Sequence, residues 1–151
     1  MRHILYILIA SILIVGCGTS SSPTAQPTTA PTTNPDSNQA TLIGSRWNVL
    51  TINGQPLVGQ KALPFTIESA STVSGHSGCN SYGGPISIDG SNIQIGPLVS
   101  TLMACAENDI QTQETNLLRA FEQVRSYQQT DTSLSLLDEQ GSVVVTLAQQ
   151  P

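Results

Sequence analysis

The sequence predicts a mainly β (α+β) fold, an antiparallel sandwich or small barrel with one helix packed on the sheet. About seven or eight short β-prone segments follow one another between Trp47 and Leu147, separated by turn signals. Strands at this spacing favour an antiparallel sheet over a parallel one. A single segment with helical periodicity interrupts the pattern.

The first predicted strands are marked by apolar alternation and by glycine. Residues 47–52 form a β-prone run that ends at Asn53-Gly54, a strong tight-turn signal. In the segment 63–68, Leu, Phe and Ile alternate with polar residues and share one face. The stretch 74–84 places Cys79 among four glycines, which predicts a bent, crowded strand.

Two hairpins are predicted further along the chain. Residues 86–88 and 93–95 alternate between isoleucine and polar residues on either side of Asp89-Gly90, a hairpin turn signal. The runs 133–137 and 143–147 form the second hairpin around a polar turn. Both hairpins support the antiparallel prediction.

A helix is predicted from Ile110 to Val124. Asn108 with Gln111 three residues later resembles a capping box at its start. At about 100° per residue, its apolar side chains fall on one stripe that can cover a face of the sheet. These side chains are Ile110, Leu117, Leu118, Phe121 and Val124. Glu114 falls inside the same stripe, where an acid is seldom left unpaired.

The amino-terminal region is predicted to be a targeting segment. Residues 1–16 carry Arg2 and an apolar run too short to span a bilayer as a mature helix. The run ends in Ile14-Val15-Gly16-Cys17, which resembles the lipobox of bacterial lipoproteins. That resemblance implies cleavage before Cys17 and a lipid anchor on it. An ordinary secretory signal with an incidental cysteine is the alternative.

Composition separates a tether from a folded domain. Residues 17–40 are rich in Ser, Thr and Pro and lack periodic apolar residues, so we expect a disordered tether after the lipidated cysteine. Residues 41–149 are expected to form one domain. Without residues 1–16 the chain has 4 basic residues (5 minus Arg2) and 10 acidic ones, a net charge of −6. This charge argues against nucleic-acid binding.

The remaining cysteines are predicted to form a disulfide. Export places the chain in an oxidising compartment, where disulfides persist. With Cys17 lipidated, Cys79 and Cys105 are the two that remain, and they allow one pairing. Free structural thiols are the alternative.

Several motifs together resemble the META-domain proteins, the group that includes the HslJ-type lipoproteins of bacteria. They are Gly78-Cys79-Asn80, Ser100-Thr101 with Met103-Ala104-Cys105, and Glu114 with Leu117, Leu118 and Phe121. The start Gly44-Ser45-Arg46-Trp47 also fits, and the resemblance covers about residues 41–148. It implies a compact antiparallel barrel-like sheet closed by one helix, in an envelope or secreted protein linked to stress tolerance, motility or virulence. It carries over no catalytic residues.

Catalytic and metal-binding interpretations are the weaker ones. His76 and Cys79 resemble a base and nucleophile, but an odd separation on a strand puts them on opposite faces. A disulfide also removes the thiol. A zinc site from Cys79, Cys105 and His76 lacks a fourth ligand and close ligand pairs. We therefore expect no catalytic residue, no metal and no cofactor.

Four further residues are candidates for structural or contact roles. Glu114 is predicted to be a structural buried acid that accepts hydrogen bonds from strand backbone, Arg46 or Asn80, with a functional acid as the alternative. Asn80 is suited to a left-handed turn conformation. Asn80, Tyr82 and Trp47 are the candidate contacts to a ligand or partner, although Trp47 suits core packing better.

The sequence therefore predicts a non-enzymatic, lipid-anchored protein of the cell envelope, possessing a disulfide-bonded domain on a tether. We expect it to lie outside the cytoplasm, on the outer membrane if the organism has one. Its expected partners are the membrane, through the amino-terminal lipid, and another envelope protein. A small-ligand or lipid-binding barrel that holds an apolar molecule is the alternative.

Overall fold

The structure of the protein is a computed structural model that describes residues 42–59 and 61–151. The predicted signal peptide 1–16, the anchor Cys17 and the tether up to residue 40 lie outside the described residues, as do Thr41 and Gln60. Across the described ranges, no helix is both long enough and apolar enough to cross a membrane.

The described residues form ten strands and one helix. The strands are β1 Arg46–Ile52, β2 Gln55–Pro56, β3 Pro64–Ser69, β4 Thr72–His76, β5 Ser81–Asp89, β6 Asn92–Ile95, β7 Val99–Ser100, β8 Ser126–Gln129, β9 Ser133–Leu137 and β10 Val143–Gln149. The helix, α1, spans Asn108–Gln123 between β7 and β8.

The strands form one antiparallel sheet that closes on itself. Its order is β10-β9-β8-β6-β5-β4-β3-β1-β2, and β10 also pairs with β1, which completes a ring. β7 pairs with β5 outside this path. The ring is not a regular barrel, because β6 and β8 share only the pair Asn92 and Ser126. The predicted fold class, an antiparallel barrel-like sheet with one helix across it, is confirmed.

The predicted turns and alternating strands are present. Asn53 (φ 50°) and Gly54 (φ 74°) make the tight turn that joins β1 to β2. In the β5–β6 hairpin the isoleucines at 86, 88, 93 and 95 are all buried, while the residues between them are exposed. The apolar face predicted for segment 63–68 is likewise buried. Apolar alternation therefore identified the strands that face the core.

The helix buries its apolar stripe on the sheet, but its start differs from the prediction. The residue before its first turn is Glu107, with extended backbone, and no side chain caps the helix, so the predicted capping box is not formed. Leu117 and Phe121 are fully buried. The Phe121 ring lies with its centroid 5.2 Å from that of Phe65 and 5.5 Å from that of Tyr82. This aromatic cluster joins the helix to the interior of the ring.

Two parts of the sheet differ from the prediction. β8 was not predicted, because in Ser126–Gln129 only Tyr127 is a large apolar residue and no alternation is visible. Cys79 lies in the connection between β4 and β5 instead of in a strand. Gly78, with φ 107°, turns the chain out of the ladder just before it.

Gly75 is a glycine at which the sheet has no room for a side chain. It pairs with Tyr82 in the β4–β5 ladder, and a Cβ atom there would lie 2.3 Å from the Pro64 carbonyl oxygen and 2.3 Å from the Tyr82 hydroxyl. Gly83 lies in the same ladder, where a Cβ atom would meet its nearest neighbour, the Val73 carbonyl oxygen, at an ordinary 3.4 Å. A methyl group can therefore be added at position 83 without movement of its neighbours, but not at position 75.

We expect Gly75→Ala to lower the free energy of unfolding by about 2–3 kcal/mol, because the backbone or the Tyr82 ring must move. Gly83→Ala is the matched control and is expected to change it by less than about 1 kcal/mol. Urea unfolding of both variants measures the difference. Equal losses of unfolding free energy in the two variants would show that the structure accommodates a methyl group at position 75 as easily as at position 83.

Candidate functional site

Two loops and the first turns of α1 meet at one edge of the sheet, where a disulfide joins them. Cys79, in the β4–β5 connection, is bonded to Cys105, in the segment between β7 and α1. Their Cα atoms lie 5.7 Å apart, although 26 positions separate them in sequence. The pairing predicted from the redox compartment is the one that the structure contains.

Asn80, directly after the first cysteine, organises this edge through a buried hydrogen-bond network. Its side chain is 3% exposed and uses all four of its hydrogen-bonding positions. Oδ1 accepts from the Thr101 hydroxyl at 2.8 Å and from the Met103 N–H at 2.8 Å. Nδ2 donates to the Met103 carbonyl oxygen at 3.3 Å and to Glu114 Oε1 at 2.9 Å. We call Ser77, Asn80, Thr101, Met103 and Glu114 the Asn80 network.

Glu114 is the anionic member of the Asn80 network. Its Oε2 accepts from the Ser77 hydroxyl at 2.6 Å and from the Asn80 backbone N–H at 3.0 Å. The predicted donors were strand backbone, Arg46 and Asn80; the structure selects Asn80, through both backbone and side chain, and adds Ser77. The carboxylate is half-buried, less than predicted, while Ser77 below it is fully buried. Glu114 therefore joins α1 to the β4–β5 connection.

We expect Glu114→Gln to lower the free energy of unfolding by about 1–2 kcal/mol, because one amide oxygen replaces two charged acceptors and its NH2 group faces the Asn80 amide. Helical circular dichroism should be unchanged, since the stripe of α1 that packs on the sheet is intact. Glu122→Gln, on the exposed side of the same helix, removes the same charge and is the control. An unchanged unfolding midpoint would show that Glu114 does not stabilise the packing of α1 on the sheet.

The predicted left-handed turn belongs to Gly78 and not to Asn80. Asn53 is the non-glycine residue with positive φ in the described part of the chain, and Gly78 has φ 107°. Asn80 was a candidate because small polar residues suit such turns, but its role here is to fill a buried network.

The chemistry suggested for the cysteine and histidine side chains is limited by their bonds. His76 Nδ1 accepts a hydrogen bond from the Gly78 N–H at 3.0 Å. The ligand atoms of Cys79, Cys105 and Glu114 lie within 4.8 Å of one another, so Glu114 takes the third place that the zinc hypothesis gave to His76. Sulfur atoms joined in a disulfide are not thiolates, which are the form that binds zinc or attacks a substrate.

A groove of about 560 Å³ runs beside the disulfide. Its walls come from the β2–β3 connection, the end of β4, the segment before α1 and the first turns of α1. We call it the disulfide groove. The side chains of the groove include Val58, Lys61, Leu63, His76, Ile110 and Gln113. Its volume lies within the range of small-molecule sites.

Gln113 is the member of the disulfide groove that the sequence analysis missed. It is 7% exposed, and its Oε1 accepts the Val58 N–H at 2.7 Å. Its Nε2 is buried and has no hydrogen-bond partner in the described part of the chain. At about 100° per residue it falls beside the apolar stripe of α1, at about −60° from Ile110. Its position on the helix was therefore the available signal.

Two of the three candidate contact residues lie in the core. Trp47 is fully buried, and its indole N–H donates to the Ser45 hydroxyl at 2.7 Å. Tyr82 is buried too, and this burial raises the pKa of its phenol above the usual value. Neither side chain is available to a ligand at the surface, so only Asn80 of the three lies at the disulfide edge.

Three exposed apolar side chains lie in the segment 99–103, which ends two residues before the disulfide-bonded Cys105. Val99 is 76%, Leu102 97% and Met103 62% exposed. We call these three residues the apolar ridge. The backbone of Met103 is held at both its N–H and its carbonyl oxygen by Asn80, so the ridge is displayed on a fixed segment.

These features define a class of small β protein: an antiparallel ring covered by one helix, with a disulfide and a buried polar network joining the helix to the sheet edge. The META domain family model matches residues 40–151, and the chain belongs to this family. No curated protein matches the chain.

Three solved structures are similar in fold. An NMR structure of a protein from Burkholderia xenovorans is 22% identical, with a TM-score of 0.60, and the match covers 90% of this chain and 99% of that chain. A second NMR structure is 18% identical (TM-score 0.57), covering 74% and 92%. The crystal structure of a DUF4847 family protein from Bacteroides vulgatus ATCC 8482 is 14% identical (TM-score 0.54), covering 76% and 99%.

At these identities the likeness concerns the fold alone. In this chain the ring closes and its core is formed within the described residues. Residues 40–151 are therefore a unit that can be produced and tested by itself.

Proposed function

We propose that the protein is a lipid-anchored, non-enzymatic component of the cell envelope whose META domain binds another envelope protein through the apolar ridge. The observation that carries this proposal is the exposure of Val99, Leu102 and Met103 in a segment that Asn80 binds at Met103 and that leads directly to the disulfide-bonded Cys105. Exposed apolar groups on a rigid segment lose little conformational freedom on binding, so they suit the centre of an interface.

The non-enzymatic part of the proposal rests on the state of the candidate groups. Both cysteines of the domain are joined in the disulfide, and His76 Nδ1 is occupied by a backbone N–H. Glu114 accepts hydrogen bonds from groups of its own chain. A structural role explains each of them. A link to envelope stress is the expectation that the family resemblance brings, and it stays a prediction.

The anchoring part is tested on the full chain in its own cells. We expect the mature protein to begin at Cys17, to carry a lipid by mass, and to leave the membrane fraction in Cys17→Ser. A mature protein that begins at another residue, or a Cys17→Ser variant that stays in the membrane fraction, would overturn it.

The ridge is tested by photo-crosslinking in intact cells. A crosslinking side chain at Leu102 is expected to give one discrete adduct, because this residue is the most exposed member of the apolar ridge. The same side chain at Leu50, which is half-exposed on β1, is the control and is expected to give none. The adduct should disappear when Met103→Asp is added. Equal adducts at Leu102 and Leu50 would contradict a specific partner at the apolar ridge.

A second candidate function, binding of a small apolar ligand, is favoured by the disulfide groove. The interior and the mouth of the barrel are the two locations expected for such a ligand, and large core side chains, including Trp47, Phe65 and Phe121, fill the interior. The groove lies outside the ring and has a volume of about 560 Å³.

A further inference from the structure

The disulfide groove combines an apolar wall with hydrogen-bond donors. Val58, Leu63 and Ile110 supply aliphatic surface, and the disulfide with the adjoining Met103 extends it. Gly59 and Gly78 bring backbone close to the helix: a Cβ atom on either would lie 3.3 Å from the Ile110 side chain. The wall therefore suits a narrow apolar group, such as a chain, better than a broad ring system.

One donor in the groove has no acceptor. Gln113 Nε2 is unpartnered among the described residues, and the side chain is more than nine-tenths buried. The Oε1 atom accepts the Val58 N–H, which fixes the amide so that Nε2 points the other way. A Cβ atom on Gly78, which also lines the groove, would lie 3.4 Å from Nε2. An unsatisfied buried donor of this kind marks a place for an acceptor.

The other polar groups of the groove are mostly donors as well. Lys61 is the only lysine of the chain, it is exposed, and no carboxylate pairs with it within the described residues. His76 accepts at Nδ1, so its neutral form carries the proton on Nε2 and donates there. Among the groove-lining residues that the structure describes, Glu107 at the rim is the one acid. The groove therefore favours a ligand that brings acceptor oxygens.

The number of positive charges in the groove indicates which acceptor group a ligand would carry. One lysine balances a single negative charge, whereas a phosphate group carries more charge and is normally bound by several charged donors. The domain is strongly acidic, which adds to the cost of a second negative charge. A carboxylate on an apolar chain fits both the donors and the wall.

We propose that the disulfide groove binds a single-chain amphiphile ending in one carboxylate, of the fatty-acid class. Its chain lies along Val58, Leu63 and Ile110, and its carboxylate pairs with Lys61 and accepts from the donors of the groove. This inference rests on the second candidate function, ligand binding. The groove shares Met103 with the apolar ridge, but the proposal does not require the ridge to bind a protein.

The test uses residues 40–151 with dansyl-undecanoic acid, its methyl ester as the uncharged control, and fluorescence to follow binding. We expect saturable binding of the acid at one site per domain. Lys61→Met is expected to weaken acid binding about tenfold and to leave the weaker ester binding unchanged, because only the acid pairs with the lysine. Arg119→Met, on the exposed face of α1, is the matched control and should change neither.

A second variant tests the buried donor. Gln113→Glu keeps an acceptor for the Val58 N–H but places negative charge where the donor was, so acid binding should fall by more than ester binding. Unlabelled dodecanoate should displace the probe better than dodecyl phosphate does.

Three results would overturn the proposal: no saturable binding of the acid, equal affinity for acid and ester, or unchanged acid binding in Lys61→Met. Preferred displacement by dodecyl phosphate would also reject the carboxylate. If the acid does not bind but Leu102 gives a discrete crosslink, the ligand proposal is rejected and the protein-interface proposal is kept. The two proposals can therefore fail separately.

Discussion

Asn80→Ala is expected to lower the free energy of unfolding by about 3–4 kcal/mol, one of the two largest effects that we predict for a single site. The substitution removes four side-chain hydrogen bonds at once. Each is worth about 1 kcal/mol, and the groups of Glu114, Thr101 and Met103 that lose a partner add to the loss. Urea unfolding of residues 40–151 measures it.

The donor and acceptor roles within the network are separated by a double-mutant cycle. Asn80→Asp keeps both bonds to Oδ1 but sets a second carboxylate against Glu114, so it should be about as harmful as Asn80→Ala at neutral pH. Adding Glu114→Gln places an amide donor opposite the new carboxylate at position 80. The double variant should therefore regain about 1–2 kcal/mol of unfolding free energy relative to Asn80→Asp. Thr115→Ala, on the exposed face of α1, is the control. Additive losses would mean that Asn80 and Glu114 do not interact.

Removal of the disulfide is the second large effect. Cys79→Ala with Cys105→Ala is expected to lower the free energy of unfolding by about 3.5 kcal/mol, because the bond closes a loop between residues 26 positions apart. The Asn80 network still holds Met103 in this variant, so we expect the native sheet to persist, with weaker protection of segment 101–105. Hydrogen exchange measures that difference.

The covalent state is measured first, by mass after alkylation with and without reduction. Residues 40–151 contain Cys79 and Cys105 and no other cysteine. We expect no free thiol before reduction and two after it. Two free thiols in protein from its own envelope would contradict the disulfide, and the cluster of Cys79, Cys105 and Glu114 would then become the first place to test for metal binding and nucleophilic reactivity.

The sequence was most informative where one face of an element is buried. The alternation of isoleucines in β5 and β6 and the helical stripe of α1 report burial directly, because side-chain direction follows the period of the element. The same reasoning missed β8, since Ser126–Gln129 holds its place by pairing with β9 while exposing mostly polar side chains. A strand that is held mainly by backbone hydrogen bonds shows little alternation of apolar and polar residues in its sequence.

The candidate site could be predicted in its parts but not in its assembly. Cys79, Cys105, Asn80 and Glu114 were identified from residue type and from family resemblance. Which donors meet Glu114 depends on bringing α1 over a connection more than thirty positions away, as its bond to Asn80 shows. Gln113 was missed because a glutamine beside an apolar stripe is ordinary on a surface helix. Only its buried, unpartnered nitrogen makes it informative.

The pairing that closes the ring also brings the two ends of the domain together. Trp47 lies opposite Gln149, and the Gln150 amide donates to the Trp47 carbonyl oxygen at 3.1 Å. Chain entering β1 and chain leaving β10 therefore run side by side in opposite directions. A reporter fused after Pro151 will therefore emerge beside the start of β1. A short linker between the two ends would allow the chain to be opened instead at the exposed turn between β9 and β10, as a circular permutant with the same ring.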